Sequence, residues 1–356
     1  MTWRQKAFLQ NVIAELPSDL SYKLHYFLRR RFGGLRATGP TMLLKAGVTM
    51  VDMLRDQGRS VESSAVLEIG TGCQINLAIA FWLCGASKVT TIDLNPYLSE
   101  DLVARDVAYI REHQEEIHAI FGEYVRNPLF RDRLDRLISH RGGVDDLLAM
   151  TNIHYLAPAD ARSLALEADS IDYYVSNAVL QHIPVAILNG IVREARRLLK
   201  PDGLFVHWID MGDHFAHIDR SISPVNFLQF SEPQWNQLAG NRYMFQNRLR
   251  IDDYENILEH AGAEILKLTP SVNKEAEKVL QQGLPLDPQF AGKNAMTNAT
   301  TSAWVIGRYD GKPASERTED SEEGHKLISI LIAVQSLLDC VFPGLLDSLY
   351  PIFECV

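Results

Sequence analysis

Two stretches of this 356-residue sequence concentrate residue types that can do chemistry. The first is Val66-Leu67-Glu68-Ile69-Gly70-Thr71-Gly72, an apolar run that carries a carboxylate and ends in spaced glycines. Glycines directly after a strand let the chain turn tightly and bring its backbone close to a ligand. The next β-branched run, Lys88–Ile92, ends in Asp93. An ionised carboxylate offers only acceptors, so Asp93 can take both hydroxyl hydrogens of a ribose. Together these features point to a cofactor that contains a nucleoside.

The second stretch is His207-Trp208-Ile209-Asp210-Met211-Gly212-Asp213-His214-Phe215-Ala216-His217-Ile218-Asp219-Arg220, followed by Phe227, Phe230, Trp235 and Arg248. It mixes imidazoles, carboxylates and aromatics, which suits the wall of a substrate pocket. His214 is the first choice for a general base, because an imidazole titrates near neutrality. His182 is the second choice, although a histidine at a helix start often has only a structural role. His207, Asp210, His217, Trp235 and Arg248 are the expected substrate contacts, with Tyr22 and Tyr26 reaching in from the N-terminal helices. Asp210, Asp213, His214, His217 and Asp219 could instead ligate a metal. No regular two-turn histidine spacing supports that, so no metal is expected. The loop could equally be solvated surface.

The elements that must position these residues follow from periodicity. Residues 2–57 read as helices: one to Leu16, a second over Leu20–Phe32 stopped by Gly33-Gly34, and a third from Thr41 to Leu54. Strand and helix then alternate. Strands are expected at Ala65–Ile69, Lys88–Ile92, Ile153–Leu156, Ile171–Ser176, Leu204–Ile209, Glu264–Leu268 and Ser302–Gly307. Ile75–Leu83, Pro184–Leu199 and Ile251–Ala261 have helical spacing, and Pro201-Asp202-Gly203 reads as a turn. A polar helical stretch from Tyr97 to Met150 is longer than one crossover requires. This alternation predicts an α/β fold with a doubly wound, mainly parallel, seven-stranded sheet. Ligands bind such sheets at the carboxyl ends of the strands, and the Glu68–Gln74 loop lies there.

The loop also discriminates between cofactors. A dinucleotide fingerprint, G-x-G-x-x-G, needs a third glycine where this chain has Ile75. The pattern E/D-x-G-x-G-x-G is met by Glu68, Gly70 and Gly72 and departs only at Gln74. Downstream come Asp160-Ala161, then Asp169 to Ile183 with Asn177 at the strand end, then Leu198-Leu199-Lys200-Pro201-Asp202-Gly203-Leu204-Phe205. In this order the elements resemble the class I S-adenosylmethionine (SAM)-dependent methyltransferases, closely over Val66–Phe205 and more loosely to Gly307. The resemblance implies a Rossmann-like sheet and SAM as cofactor. It implies that Glu68, Gly70, Thr71 and Gly72 line the methionine and ribose part. It places the ribose hydroxyls on Asp93, the adenine against Leu94, and the adenine amino group on Asp160 beside Ala161. Asn177 would face the transferred methyl. A turn cap is the alternative role for Asp160.

Composition bounds the rest. Hydrophobic residues at 46% and charged residues at 22% exclude wholesale disorder, and a net charge of -10 provides no chain-wide basic footprint for nucleic acid. Four scattered cysteines fit a reducing compartment. The first residues lack the apolar core of a secretory signal, and Leu327–Leu338 is too short to span a bilayer, so a cytoplasmic protein without stable membrane insertion is expected. Three regions follow: a helical cap at 1–60, a SAM-binding catalytic domain at 61–309 with insertions near 97–150 and 210–250, and an acidic linker with an apolar helical tail at 310–356. The cap holds ten Lys/Arg against four Asp/Glu, and the tail three against nine. The tail could pack back or make a homo-oligomer. The expected activity is methyl transfer to an O or N atom of a small molecule, in natural-product biosynthesis or on a sugar-like metabolite. The alternative is a non-catalytic SAM-binding scaffold that assembles through its tail.

Overall fold

The structure, a computed structural model, describes residues 2–32 and 39–309. The glycine pair expected to stop the second helix and the tail at 310–356, with its proposed self-association, lie outside these residues. Residues 1–309 form one compact unit.

Helices α1 (Trp3–Ala14), α2 (Ser18–Arg31) and α3 (Thr41–Asp56) open the chain. Then come β1 (Ala65–Ile69), α4 (Asn76–Leu83) and β2 (Lys88–Ile92). The long polar stretch is four helices: α5 (Glu100–Glu112), α6 (Gln114–Phe121), α7 (Pro128–Ser139) and α8 (Val144–Thr151). They lead into β3 (Ile153–Leu156), β4 (Ile171–Asn177), α9 (Val185–Leu198) and β5 (Leu199–Asp210). After α10 (Glu232–Ala239) and α11 (Ile251–His260) come β6 (Ala263–Val272), three short helices α12 (Lys274–Gln281), α13 (Pro288–Ala291) and α14 (Ala295–Ala299), and β7 (Thr300–Tyr309).

The seven strands form one sheet in the order β3-β2-β1-β4-β5-β7-β6. β7 runs antiparallel to both of its neighbours, and the other pairings are parallel. This is the doubly wound, mainly parallel α/β sheet that the alternation predicts. Successive residues point to opposite faces, so a central strand covered on both sides must be apolar throughout. Val66, Val175 and Val206 join a core with α3, α4 and α5–α8. Their neighbours Leu67, Tyr174 and Phe205 join a second core with α9 and α11. A third cluster, with Trp3, Phe215 and Trp235 among its members, ties α1 to α10 and the helices before β7.

One expectation is corrected. Pro201-Asp202-Gly203 does not precede β5 but lies inside it. Leu199 pairs with Ile171, and Leu204 pairs with Tyr173, so the intervening residues bulge out. Gly203 is required there, because a Cβ would sit 3.0 Å from the Asp172 carbonyl oxygen.

Register also brings the chemistry together. Ile69 pairs with Ser176, and Ser176 pairs with His207. Gly70, Asn177 and Trp208 therefore stand at one level, at the carboxyl ends of β1 and β4, while β5 continues to Asp210.

Candidate active site

The loop after β1 is held from two sides. Gly70 and Thr71 donate backbone N–H bonds to the Ile92 carbonyl, at 2.8 and 3.1 Å. Gly72 N–H donates to Asp93 Oδ2 at 2.8 Å, and Asn95 N–H donates to Asp93 Oδ1 at 3.0 Å. Burial nevertheless lifts the Asp93 pKa. Gly70 and Gly72 both have positive φ, +84° and +63°. Gln74, where the glycine pattern breaks, turns away from the loop. Its amide donates to the buried carboxylate of Asp106 on α5, which also accepts from Asn76. The departure thus anchors the loop to the helical layer.

Glu68 is 4% exposed, and its Oε2 has no hydrogen-bond partner. Burial raises its pKa to about 8. Open space lies over Gly72, and Leu94 presents a 45% exposed apolar side chain beyond Asp93. An orphaned carboxyl oxygen, a free backbone approach and an exposed apolar face fit a nucleoside that bears a cationic amino-acid tail. Asp160 is half-buried and accepts a two-pronged bond from the Arg162 guanidinium, with Arg162 N–H on Oδ1 at 2.9 Å. It therefore does cap a turn, though a carboxylate retains further acceptor sites.

A cleft of about 260 Å³ opens beside this loop. Helix α2 forms its roof with Tyr22, His25, Tyr26 and Arg29, spaced on one helical face. Cys73 and Tyr97 border it from the cofactor side; His182 and residues 242–245 border it from the β4 and β5 side. Tyr22 stacks on Tyr97 with centroids 5.1 Å apart, and His25 stacks on Tyr243 at 3.8 Å. The roof is latched: Tyr26 OH bonds Ser99 and Asp101, and Arg30 pairs with Asp101 at 3.0 Å.

His182 reaches the cleft from the turn after β4. Its Nδ1 lies 2.8 Å from the Phe245 carbonyl oxygen, so this nitrogen must carry the proton and Nε2 is the free acceptor. Burial, followed by the charge of His214, lowers its pKa to about 4, although the residue as a whole is exposed, which weakens the effect of burial. His214 stands behind, its ring centroid 4.9 Å from that of His182. His214 Nε2 lies 3.3 Å from Asp210 Oδ2. Burial alone would raise the Asp210 pKa, but His214 and the Gly212 N–H bring it below the usual value.

Residues 143–207 match the Methyltransferase domain family, a span that runs from α8 to β5 through Asn177 and His182. The matched span supports the resemblance to the class I SAM-dependent methyltransferases. No curated protein sequence matches it. Among solved structures, a SAM-dependent methyltransferase from Mesorhizobium loti is 18% identical over 72% of this chain and 96% of its own, with a TM-score of 0.38. One from Methanosarcina mazei is 16% identical over 70% and 94%, with a TM-score of 0.38. The CurJ carbon methyltransferase is 10% identical over 74% and 54%, also at 0.38. Likenesses this weak carry no argument about the acceptor.

Several residues expected at the methyltransferase's pocket are employed elsewhere. His207 is buried within β5, its Nδ1 2.8 Å from Ser176 Oγ and its ring stacked on Phe205. Burial takes its pKa down to about 3, so it is a neutral core histidine. Trp235 packs among Phe215, Phe227 and Phe230. Arg248 is buried as a brace, donating to the Phe227 and Phe230 carbonyls and to Glu232. These three side chains are buried among their neighbours. His217 is exposed and stacks on the outer side of His214 at 5.4 Å. The candidate metal carboxylates are also used locally: Asp213 accepts from Phe215 N–H, and Asp219 from Trp3 and Ser221 N–H. His25, Cys73, Tyr97, Tyr243 and Phe245 were not expected at the cleft. The spacing of His25 with Tyr22 and Tyr26 on α2 is the signal that could have found the first.

Proposed function

We propose that this methyltransferase transfers the methyl group to an O or N atom of a small-molecule acceptor, a natural product or sugar-like metabolite, bound beneath α2. The observation that supports this is the cleft itself, enclosed by the latched roof and bordered by Cys73 of the cofactor loop and by His182. A roofed cleft of this size favours a compact acceptor over a polymer.

Glu68, Gly70, Thr71 and Gly72 would hold the amino-acid and ribose portions of SAM, and Asp93 the ribose hydroxyls. Leu94 and Ala161 would flank the adenine, with Asp160 accepting from its amino group and Asn177 near the reacting carbon. SAM supplies a methyl group on a sulfonium, an electrophile that needs orientation rather than activation. The protein's own task is therefore to exclude water, align the acceptor and receive a proton if the nucleophile is a hydroxyl. His182 Nε2 is the atom placed to receive it, since Nδ1 is committed to Phe245. His214 and Asp210 then act on His182 as positioning residues. The order of roles differs from expectation: His182, not His214, stands at the cleft.

Radioactive methyl release from labelled SAM, measured across a panel of phenols, amines and sugars, tests the activity. Absence of SAM or S-adenosylhomocysteine binding by calorimetry would reject it. A cytoplasmic setting, no nucleic-acid partner and self-association through residues 310–356 belong to the same reading. They rest on the net charge of -10 and on the apolar composition of that segment. Among the described residues, no helix is long and apolar enough to cross a membrane.

A further inference from the structure

Among the described residues, the side chains that border the cleft include two arginines, Arg29 and Arg242, and no aspartate or glutamate. Among the described residues Arg29 has no hydrogen bond or ion pair from its guanidinium, although its neighbour Arg30 is paired with Asp101. Arginines in the last turn of a helix complement its dipole, which accounts for a basic triplet but not for one member facing a cleft. The charge of Arg29 is felt on both sides of that cleft. It opposes protonation of His25 and His182 and favours ionisation of Cys73. An unpaired guanidinium in a cleft also lined by Tyr22, Tyr97 and Tyr243 matches a planar acid. The fork binds a carboxylate, and the rings cover an aromatic face.

We propose that the acceptor is an aromatic acid whose carboxylate pairs with Arg29 and whose ring lies among the cleft tyrosines, with its nucleophilic atom presented to His182. This rests on the small-molecule reading above and narrows it. Arg29 shares the cleft with residues 243–245, which lie between α10 and α11, as well as with Cys73 and Tyr97. The proposal assigns the carboxylate to the acceptor rather than to the methionine end of the cofactor, and the test below separates the two.

The test is calorimetric and independent of turnover. The full chain, saturated with S-adenosylhomocysteine, is titrated with 4-hydroxybenzoate and 3,4-dihydroxybenzoate, and with the matching carboxamides. The expected result is that the acids bind at least tenfold tighter than the amides. Arg29→Leu should abolish that preference, Arg29→Lys should keep part of it, and neither should change S-adenosylhomocysteine affinity. Equal binding of acids and amides, or no binding of either, would overturn the proposal. So would a parallel loss of S-adenosylhomocysteine affinity in Arg29→Leu, which would assign the guanidinium to the cofactor. If acids bind as expected yet no methyl transfer to any acceptor is found, the functional reading fails while the anion site stands.

Discussion

Gly72 and Asp93 are joined across the cofactor loop by an N–H bond to Oδ2 of 2.8 Å, so the residue expected to take the ribose also holds the glycine turn in shape. Asp93→Ala would remove both acceptor oxygens and leave the Gly72 and Asn95 N–H groups without their partner. Hydrogen bonds to a charged group are worth about 1.5–3 kcal/mol each. S-adenosylhomocysteine affinity should fall at least about tenfold, since 1.4 kcal/mol is a factor of ten. Asp93→Asn keeps one acceptor oxygen and should fall between the two. An unchanged dissociation constant in Asp93→Ala would reject the role.

Glu68 should couple cofactor binding to protons. Its carboxyl is raised to about 8 in the protein by burial, against an ordinary value of 4.5. The folded state therefore binds the proton more tightly than the unfolded chain. The stability this contributes is complete below about 4.5 and is lost as pH rises through about 8. Glu68→Gln should flatten that decline, read as Tm against pH. A cationic ligand beside the orphaned Oε2 would favour the ionised form, so binding at pH 7 should release a proton. Calorimetry of S-adenosylhomocysteine in two buffers of different ionisation enthalpy reads this directly. No buffer dependence would remove Glu68 from the amino-acid end.

His182 and its two supporters should separate by the sign of their pH effects. The charge of His214 lowers the His182 pKa, and that of Asp210 raises it. With a hydroxyl acceptor, the acid limb of kcat/KM should move to higher pH in His214→Ala and to lower pH in Asp210→Asn. His182→Ala should lower turnover about 10²-fold or more, the usual contribution of a placed base. Cofactor affinity should stay as it was in all three. Shifts in one common direction would mean that these substitutions merely disturb the loop.

The sheet was legible because its signal is local: β-branched runs of fixed length, ended by Gly70, Asp93 or Asn177, carry their own period. The bulge in β5 was not, since Pro201-Asp202-Gly203 has turn chemistry, and only pairing with β4 shows that the strand starts before it. The cofactor loop was readable from Glu68 and the glycines. The meaning of Gln74 was not, because its partner Asp106 lies on a helix two elements away. His207, Trp235 and Arg248 are the harder cases. An imidazole, an indole and a guanidinium look reactive in sequence, yet each is buried here: His207 bonds Ser176, Trp235 stacks on Phe230, and Arg248 donates to the Phe227 carbonyl. Whether a polar side chain is spent on packing depends on contacts distant in sequence, which spacing does not record.

Gly70 and Val179 supply a stability test of the loop's path. A Cβ on Gly70 would stand 2.3 Å from Val179 Cγ2, and the residue has φ of +84°. Gly70→Ala therefore faces two separable costs. The left-handed backbone costs about 1–2 kcal/mol for a residue with a Cβ. Overpacking against Val179 adds about 1–3 kcal/mol. Val179→Ala should relieve only the second. In urea denaturation Gly70→Ala should lose about 2–5 kcal/mol, and Val179→Ala alone should lose less, as a small truncation. The double variant should be more stable than the sum of the two losses predicts, by about 1 kcal/mol or more. Because the backbone strain persists, the double variant should stay below the parent in both stability and S-adenosylhomocysteine affinity. Strict additivity would mean that the turn after β4 does not press on the cofactor loop. Full recovery of stability would mean that the loop tolerates a side chain where the structure shows a positive φ.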